Sequence, residues 1–413
     1  MDLKQFEKSI NLANINADEF LSILFSYFGQ ASFESLPGVY TFQKRDNLDI
    51  KLRLALNKNG NITSIGSEHI SNEQFYEISK LVQENLIDNQ DGKIGEAILF
   101  CVNSRITGYF KYKEIFQILP IPEDAPRISQ LVGNHPFLLQ YKYKSSPDHV
   151  IGNARRKYQE TLIAKRLNLL TRGAIRYSPM WIEHEWVIDG TVESGLTSRY
   201  AQQGYIWNGY KGILEKFTDS NGLKPIALVN HDDYNDYRGF NTRKDDALLL
   251  PDNLSDAFDK IDHLSVADIA KFDRSCGWFY QSALTWLDSQ SLSYIGLVTA
   301  IESLFENYEK CKDCGSPLQE ALEKCETCGE PKYKIMKTLK KFLDKYVPFI
   351  EEMPKEKKMM YKTRSELAHG LGMFSRDAEP GVFLKPVEQE QHQLHRNIHY
   401  IVFTGISNWL WSR

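Results

Sequence analysis

The sequence predicts a multidomain α+β protein: a strand-rich, mixed N-terminal region, then an all-helical bundle carrying a four-cysteine insertion. Three observations predict it. Before about residue 255, apolar and polar residues alternate in short runs, which is the period of a half-buried strand. After Pro251 the apolar residues recur at i, i+3, i+4 and i+7, which is the period of one helix face. Two Cys-x-x-Cys-Gly knuckles, Cys311-Lys-Asp-Cys314-Gly and Cys325-Glu-Thr-Cys328-Gly, interrupt that helical part.

In the first half, Gly38–Gln43 and Leu48–Leu54 alternate as strands, and Asn57-Lys-Asn-Gly-Asn is a turn between strands. Ala97–Val102, Phe137–Tyr143 and Ile182–Ile188 read as further strands. Helices are expected over Asn72–Asn85 and Ala154–Leu170. Pro120, Pro122 and Pro126 punctuate the chain. The expected division is therefore 1–125, a mixed α/β subdomain; 126–255, a second strand-rich subdomain; and 256–413, the helical domain with its cysteine loop at 311–328.

In the second half, Val266–Leu287 has helical period. Tyr294, Leu297, Val298, Ile301, Leu304, Phe305 and Tyr308 form one apolar stripe, and Ile335, Met336, Leu339, Phe342, Leu343 and Tyr346 form another with lysines opposite. Pro354 suits the first turn of a helix that Gly370 and Gly372 close. A last helix spans about Val387–Trp411, giving a bundle of about five helices.

Each knuckle places two thiolates on one tight turn, and its glycine allows the positive φ such a turn needs. Four soft thiolates in two turns suit a closed, tetrahedral, structural zinc ion held by Cys311, Cys314, Cys325 and Cys328. A redox pair is the other reading of one Cys-x-x-Cys, and two matched pairs argue against it. Cys101 and Cys276 stand singly, so no disulfide framework is visible and a reducing cytoplasm is expected. The longest apolar run is too short for a bilayer, and Met1–Glu7 lacks the charged start and apolar centre of a signal peptide.

Net charge is −4, which disfavours a bulk polyanion binder. Its distribution is uneven. Lys332 to Arg364 holds eleven basic residues against four acids, so this segment is +7 and the rest of the chain −11. Lys334, Lys337, Lys341, Lys358 and Lys362 are the candidates for phosphate-backbone contacts; a solvated lysine-rich face is the plain alternative.

The chemistry-bearing candidates sit at the end of the Pro354 helix. Arg364 and His369 lie about 7.5 Å of rise and about 500° of rotation apart on a regular helix, so they do not share a face unless Gly370 lets the last turn unwind. Ser365 is placed to position Arg364 or contact phosphate. Tyr361 lies one turn before Arg364. Glu302, among apolar residues on an earlier helix, is placed to orient Arg364 through a carboxylate–guanidinium pair. Two other groups read as bland: Asn230–Gly239 as a polar loop, and His392, His395 and His399 as one histidine-bearing face of the last helix.

Ala300-Ile-Glu-Ser-Leu304 on an early helix, the four-cysteine loop, and Tyr361-x-x-Arg364-Ser365-x-x-x-His369-Gly370 together resemble the HEPN superfamily of helical nucleotide-binding and ribonuclease domains. More narrowly they resemble the ApeA-like HEPN domains of bacterial anti-phage defence. The resemblance covers about residues 256–413 and extends to no motif in 1–255. It implies metal-independent RNA cleavage in which the 2′-hydroxyl attacks the adjacent phosphodiester, leaving a 2′,3′-cyclic phosphate and a 5′-hydroxyl. Histidine would move the proton and arginine would stabilise the crowded phosphorane. It also implies a homodimer through the HEPN domain, RNA as substrate with tRNA anticodon loops as a fitting target, a phage-derived trigger, and abortive infection as the biological role. On this reading the N-terminal region senses or restrains, no membrane is involved, and zinc is structural with no cofactor for catalysis. The alternatives are a catalytically inactive HEPN module that binds RNA or a nucleotide as a regulator, and a zinc-stabilised interaction protein.

Overall fold

The computed structural model describes residues 2–10, 15–34, 38–57, 60–88, 92–102, 104–122, 127–128, 134–176, 186–188, 199–201, 212–235, 243–244, 247–286, 288–305, 323–324, 331–332, 335–378 and 385–413. In chain order the elements are α1 (Leu3–Ile10), α2 (Ala17–Phe28), β1 (Gly29–Glu34), β2 (Val39–Lys44), β3 (Lys51–Leu56), β4 (Ile62–Glu68), α3 (Asn72–Val82), β5 (Gly92–Val102), β6 (Phe110–Tyr112), β7 (Phe116–Pro120), β8 (Arg127–Ile128), β9 (Asn134–Lys144), α4 (His149–Leu170) and β10 (Ile175–Arg176). After several two- and three-residue strands come α5 (His231–Asn235), α6 (Leu254–Asp262), α7 (Val266–Thr285), α8 (Gln290–Glu302), α9 (Ile335–Tyr346), α10 (Pro354–Ala368), α11 (Ser375–Ala378) and α12 (Pro386–Trp411). The α+β reading holds: a strand-rich N-terminal region precedes a helical C-terminal one. Among the described residues no helix is long and apolar enough to cross a membrane.

The chain divides into two compact units, and neither is contiguous. One comprises residues 1–96, 140–160 and 212–218; the other comprises 97–139, 161–211 and 219–413. The boundaries expected from sequence, at 125/126 and 255/256, do not mark these units. The physical reason is that β5, β9 and α4 each run without interruption from one unit into the other, so no break in composition signals the change.

The first unit packs helices on a four-stranded antiparallel meander of order β1-β2-β3-β4. Strand alternation does what the sequence asks: Leu52 and Leu54 are buried, while Arg53 between them turns outward and pairs with Glu68 at 2.8 Å. Those leucines meet Phe42 and Ile65 of the sheet and Phe6, Phe20, Leu24, Phe28, Phe75 and Ile78 of α1–α3. Full burial of such side chains contributes roughly 1.5–3 kcal/mol each. Asn16 accepts from Glu19 N to start α2, and Ser71 forms a capping box with Gln74 to start α3. Arg155 grips Glu19 with two nearly parallel hydrogen bonds of 2.6 and 2.7 Å.

In the second unit, residues of β5 and β9 lie in a sheet of order β10-β5-β9-β7-β6. Its helical part is centred on α8. Ser289 caps that helix by accepting from Leu292 N at 3.2 Å, and Asp377 of α11 accepts from Gln290 N, Ser291 N and the Ser289 hydroxyl at 2.9, 2.7 and 2.9 Å. Burial raises the Asp377 pKa, but these bonds outweigh it and hold the carboxyl below its usual range.

The single apolar stripe expected on α8 understates its burial. Ser293, Gly296 and Ala300 are buried as well as Tyr294, Leu297, Val298 and Ile301. The small residues form the contact with α7. A Cβ on Gly296 would lie 3.2 Å from the Ser282 Cβ and 3.3 Å from the Trp278 carbonyl oxygen, and Ser275 donates to Ala300 O at 2.8 Å. The helix axes approach closely because no bulk separates them. On α12, Ile398, Ile401, Val402, Ile406, Trp409 and Leu410 are buried, and the Trp409 ring stacks on Phe272 at 6.4 Å.

Of the segment Asn230–Gly239, read as a loop, residues 236–239 lie outside the described residues, and Asn230–Asn235 departs from that reading. His231–Asn235 forms the short helix α5, with Asp252 accepting from His231 N at 3.0 Å and Tyr234 fully buried. The dense Asn and Asp content gives local capping, and the buried Tyr234 anchors the turn.

Candidate functional site

Helix α10 carries the site predicted from sequence. Pro354 stands at its first turn, as expected. Tyr294 of α8 donates to Met360 O at 3.3 Å, and Lys357 pins the helix to its surroundings through Asp344 of α9 and Glu351, each at 2.5 Å. The helix closes in a Schellman motif. Leu371 N donates to Glu366 O at 2.9 Å, Gly370 N donates to Leu367 O at 3.2 Å, and Gly370 takes the left-handed φ of +69°.

Arg364 points toward α8. Its Nη2 donates to Glu302 Oε2 at 2.9 Å, with the two side chains 26% and 16% exposed. The carboxylate–guanidinium pair expected between Glu302 and Arg364 is therefore present. Burial pushes the Glu302 carboxyl up, and the Arg364 charge and hydrogen bond pull it back only in part, so its pKa stays above the usual carboxylate range. As the last residue of α8, Glu302 also faces the negative end of that helix dipole. Arg364 Nε and Glu302 Oε1 are buried and make no hydrogen bond among the described residues.

His369 is the cap residue of α10 and is exposed. Its N–H still donates to Ser365 O at 3.0 Å, so the helical ladder runs through to it. The last turn does not unwind, because the Schellman bonds hold it. Arg364 and His369 thus keep a helical offset of about 140° around the axis, and the geometry separates the inward guanidinium from the outward imidazole. Ser365 and Tyr361 are half-buried, and among the described residues no side-chain hydrogen bond ties either to Arg364 or His369.

Of the candidate phosphate-contacting lysines, Lys341, Lys358 and Lys362 are exposed, and Lys362 lies 3.7 Å from Glu366. Lys341 is on the outer side of α9, whose Leu339, Phe342, Leu343 and Tyr346 are buried, as the helical period foretold. Lys337 lies on α9, and its side chain is outside what the structure describes. Lys334, Cys311, Cys314, Cys325 and Cys328 lie outside the described residues. Among the described residues, no group of three or more His, Cys, Asp or Glu side chains could hold a metal ion.

That finding bears on His392, His395 and His399. They do not converge on an ion site; they line a cavity of the second unit. His395 is 6% exposed, lies 2.8 Å from the Ser293 hydroxyl through Nε2, and packs on Trp286 with ring centres 4.0 Å apart. His392 meets the same indole edge-on at 4.8 Å, and His399 packs on Phe279 at 4.8 Å. Burial lowers all three pKa values. Arg396 and Arg376 add to this at His392, the neighbouring histidines at His395, and Arg172 at His399, which falls to about 4. The i, i+3, i+7 spacing is visible in the sequence, but the partners are not; they come from α7, α8 and the end of α4.

The burial of His395 makes the fold acid-sensitive. With a folded-state pKa below its ordinary 6.5, His395 binds its proton later than the unfolded chain does. Its contribution to stability is present above about pH 6.5 and is lost as pH falls below it, by up to about 1.4 kcal/mol per pH unit. Urea unfolding at pH 7 and pH 5 should show this loss in the wild type, reduced in His395→Gln, which cannot titrate. Equal losses in both proteins would refute the assignment.

Compared with known proteins, the chain matches no protein-family model, no curated protein and no solved structure.

Proposed function

We propose that the protein is a metal-independent endoribonuclease of HEPN type, with Arg364 and His369 as its catalytic residues. The observation that supports this best is the state of the two groups: Arg364 is held by a carboxylate at the end of α8, while His369 stands exposed at the cap of the same helix as Arg364. A guanidinium whose plane is fixed suits the developing charge of a phosphorane, and an exposed imidazole suits proton transfer near neutral pH. The 2′-hydroxyl loses its proton as its oxygen attacks phosphorus, and the 5′-oxygen leaves and is protonated.

One helix does not turn both groups to a single phosphate, so the proposal includes a homodimer in which a second copy completes each site. Leu371 and Met373, just beyond His369, are 79% and 60% exposed and provide apolar surface for such a contact. Zinc on the four cysteines stabilises the loop and takes no part in cleavage. RNA, including tRNA, is the substrate class, and abortive anti-phage defence is the role that fits. The test is end-sequencing of RNA from cells expressing wild type or His369→Ala: new 5′-hydroxyl ends specific to wild type are expected, and their absence would defeat the proposal.

The lysines supply a separate check. If Lys341 and Lys358 track an RNA backbone, each contributes about 0.7 to the log–log salt slope for single strands. Lys341→Ala/Lys358→Ala should flatten that slope by about 1.4 and raise Kd without moving the cleavage position. Identical slopes would assign these lysines to solvation alone.

A further inference from the structure

The four-stranded sheet of the first unit has two edges, and they are finished differently. At β4 the register to β3 shifts between Ala55 and Leu56, and Glu68 pairs with Lys51 and Arg53 at 3.7 and 2.8 Å. A bulge and charged side chains are the devices that blunt an edge strand. β1 carries neither device against β2. Gly29–Glu34 keeps one unbroken register with that strand and contains no proline, lysine or arginine. Among the described residues it pairs with no other strand, and its last five residues are exposed.

The antiparallel ladder fixes which groups of β1 point outward, because each residue turns both its N–H and its C=O to one neighbour. Arg45 N donates to Phe28 O at 3.2 Å, and residues 28 and 45 continue the β1–β2 register, so the even-numbered residues of β1 bond to β2. Ala31 and Phe33 therefore direct their N–H and C=O groups away from the sheet. Their side chains lie on its apolar side: Ala31 is opposite Phe42, and Phe33 is opposite Tyr40 with ring centres 4.5 Å apart. Phe42 is buried in the core with the helices, whereas Phe33 is 53% exposed, so the apolar row runs out past its cover. The two ends of the strand carry opposite charges. Glu34 is exposed at one end. At the other, the Arg45 side chain lies over Gly29, with Nε 3.9 Å from where a Cβ there would be. Neither Glu34 nor Arg45 makes an ion pair among the described residues.

We propose that β1 pairs antiparallel with β1 of a second copy, about a two-fold axis at Ser32, so that the two sheets become one. In this register Ala31 stands opposite the partner's Phe33, and Phe33 opposite the partner's Ala31. Each pair exchanges two hydrogen bonds, and every outward N–H and C=O of these residues is used. The partner's Phe33 ring sits beside the small Ala31. The partner's Glu34 falls beside Gln30, near the end over which Arg45 lies, and symmetry repeats the attraction. A register shifted by two residues sets Phe33 against Gly29, whose N–H is already donated to Phe25 O, and leaves the Phe33 carbonyl unpaired. A parallel copy places like charges together. A foreign strand meets the same backbone, but a copy of β1 also brings the matching charge to each end.

Six residues bury less area than a stable interface needs, so the test traps the pair. Ser32 meets its counterpart in a non-hydrogen-bonded pair, whose Cα separation of about 4.5 Å is within disulfide range. Mildly oxidised full-chain Ser32→Cys should form a dimer linked through the substituted positions, identified by mass spectrometry of its peptides. It should form about tenfold or more faster than a dimer of Thr63→Cys, an exposed position on the β4 edge, because pairing raises the effective concentration. In the Ser32→Cys background, Glu34→Arg should slow linking about threefold or more, with the thermal unfolding midpoint unchanged, and Arg45→Glu added to it should restore the rate. None of these results depends on Arg364 or His369. The proposal is overturned by equal linking at the two edges, by linking that Glu34→Arg leaves unchanged or that Arg45→Glu does not restore, or by Ser32→Cys that stays unlinked when pure and links to a different protein in cells. That last result would assign the edge to a foreign strand.

Discussion

On the proposed reading, His369→Ala should lower RNA cleavage by about 10²–10⁴-fold, and Arg364→Ala should do comparable damage while both variants stay folded. His369 lies exposed at a helix cap, where removing the ring uncovers no core. Arg364 is less innocent. Its loss leaves Glu302 half-desolvated without its cation, a carboxyl already raised toward its neutral form. Arg364→Ala should therefore shift Glu302 further toward protonation, and the cost of burying it falls accordingly. Arg364→Lys keeps the charge and loses the planar fork, so it should keep the fold and fail to restore cleavage. Glu302→Gln tests positioning: it should lower the cleavage rate without removing it, and it should leave the cleavage position unchanged. Cleavage at wild-type rate in either alanine variant would end the assignment.

The second large effect concerns the metal. Protein purified without chelator should carry one zinc ion per chain, measured by elemental analysis, bound by Cys311, Cys314, Cys325 and Cys328. Zinc binding in comparable small sites is worth roughly 10–16 kcal/mol, so Cys314→Ser should strip the ion and unfold the loop between α8 and α9. Brief EDTA treatment, before the ion is lost, should leave cleavage intact. Immediate inhibition reversed by Mg²⁺ would instead identify a metal-dependent nuclease, and zinc-free protein would remove the metal site altogether.

Much of the helical region is legible in the sequence because its signals are local. Pro354 and Gly370 bracket α10 by backbone chemistry alone, and the spacing of Leu339, Phe342, Leu343 and Tyr346 marks the inner side of α9. Glu302 and Arg364 are 62 residues apart, yet their pairing can be read because a carboxylate in an apolar stripe needs a cation. Helices α1 and α2 escape such reading: Leu3–Ile10 is short, and the apolar residues of Ala17–Phe28 are too dense to mark one face. The open edge of β1 is illegible for a different reason. Which side of Ala31 and Phe33 lacks a partner depends on strand order and register, and no spacing rule carries either.

The discontinuity of the two units sets an order of events at the ribosome. The first unit has all of its residues once position 218 has emerged, whereas the second unit takes residues from 97 onward and still needs α12, whose Ile398, Val402, Ile406 and Trp409 are buried. At about 5–20 residues per second, residues 219–413 take roughly 10–40 s to synthesise. During that interval α10 is made without the helix that closes its bundle. The Arg364–Glu302 pair therefore gains its completed bundle only once α12 has been made, and a chain terminated before that helix lacks side chains that fill the core of the second unit.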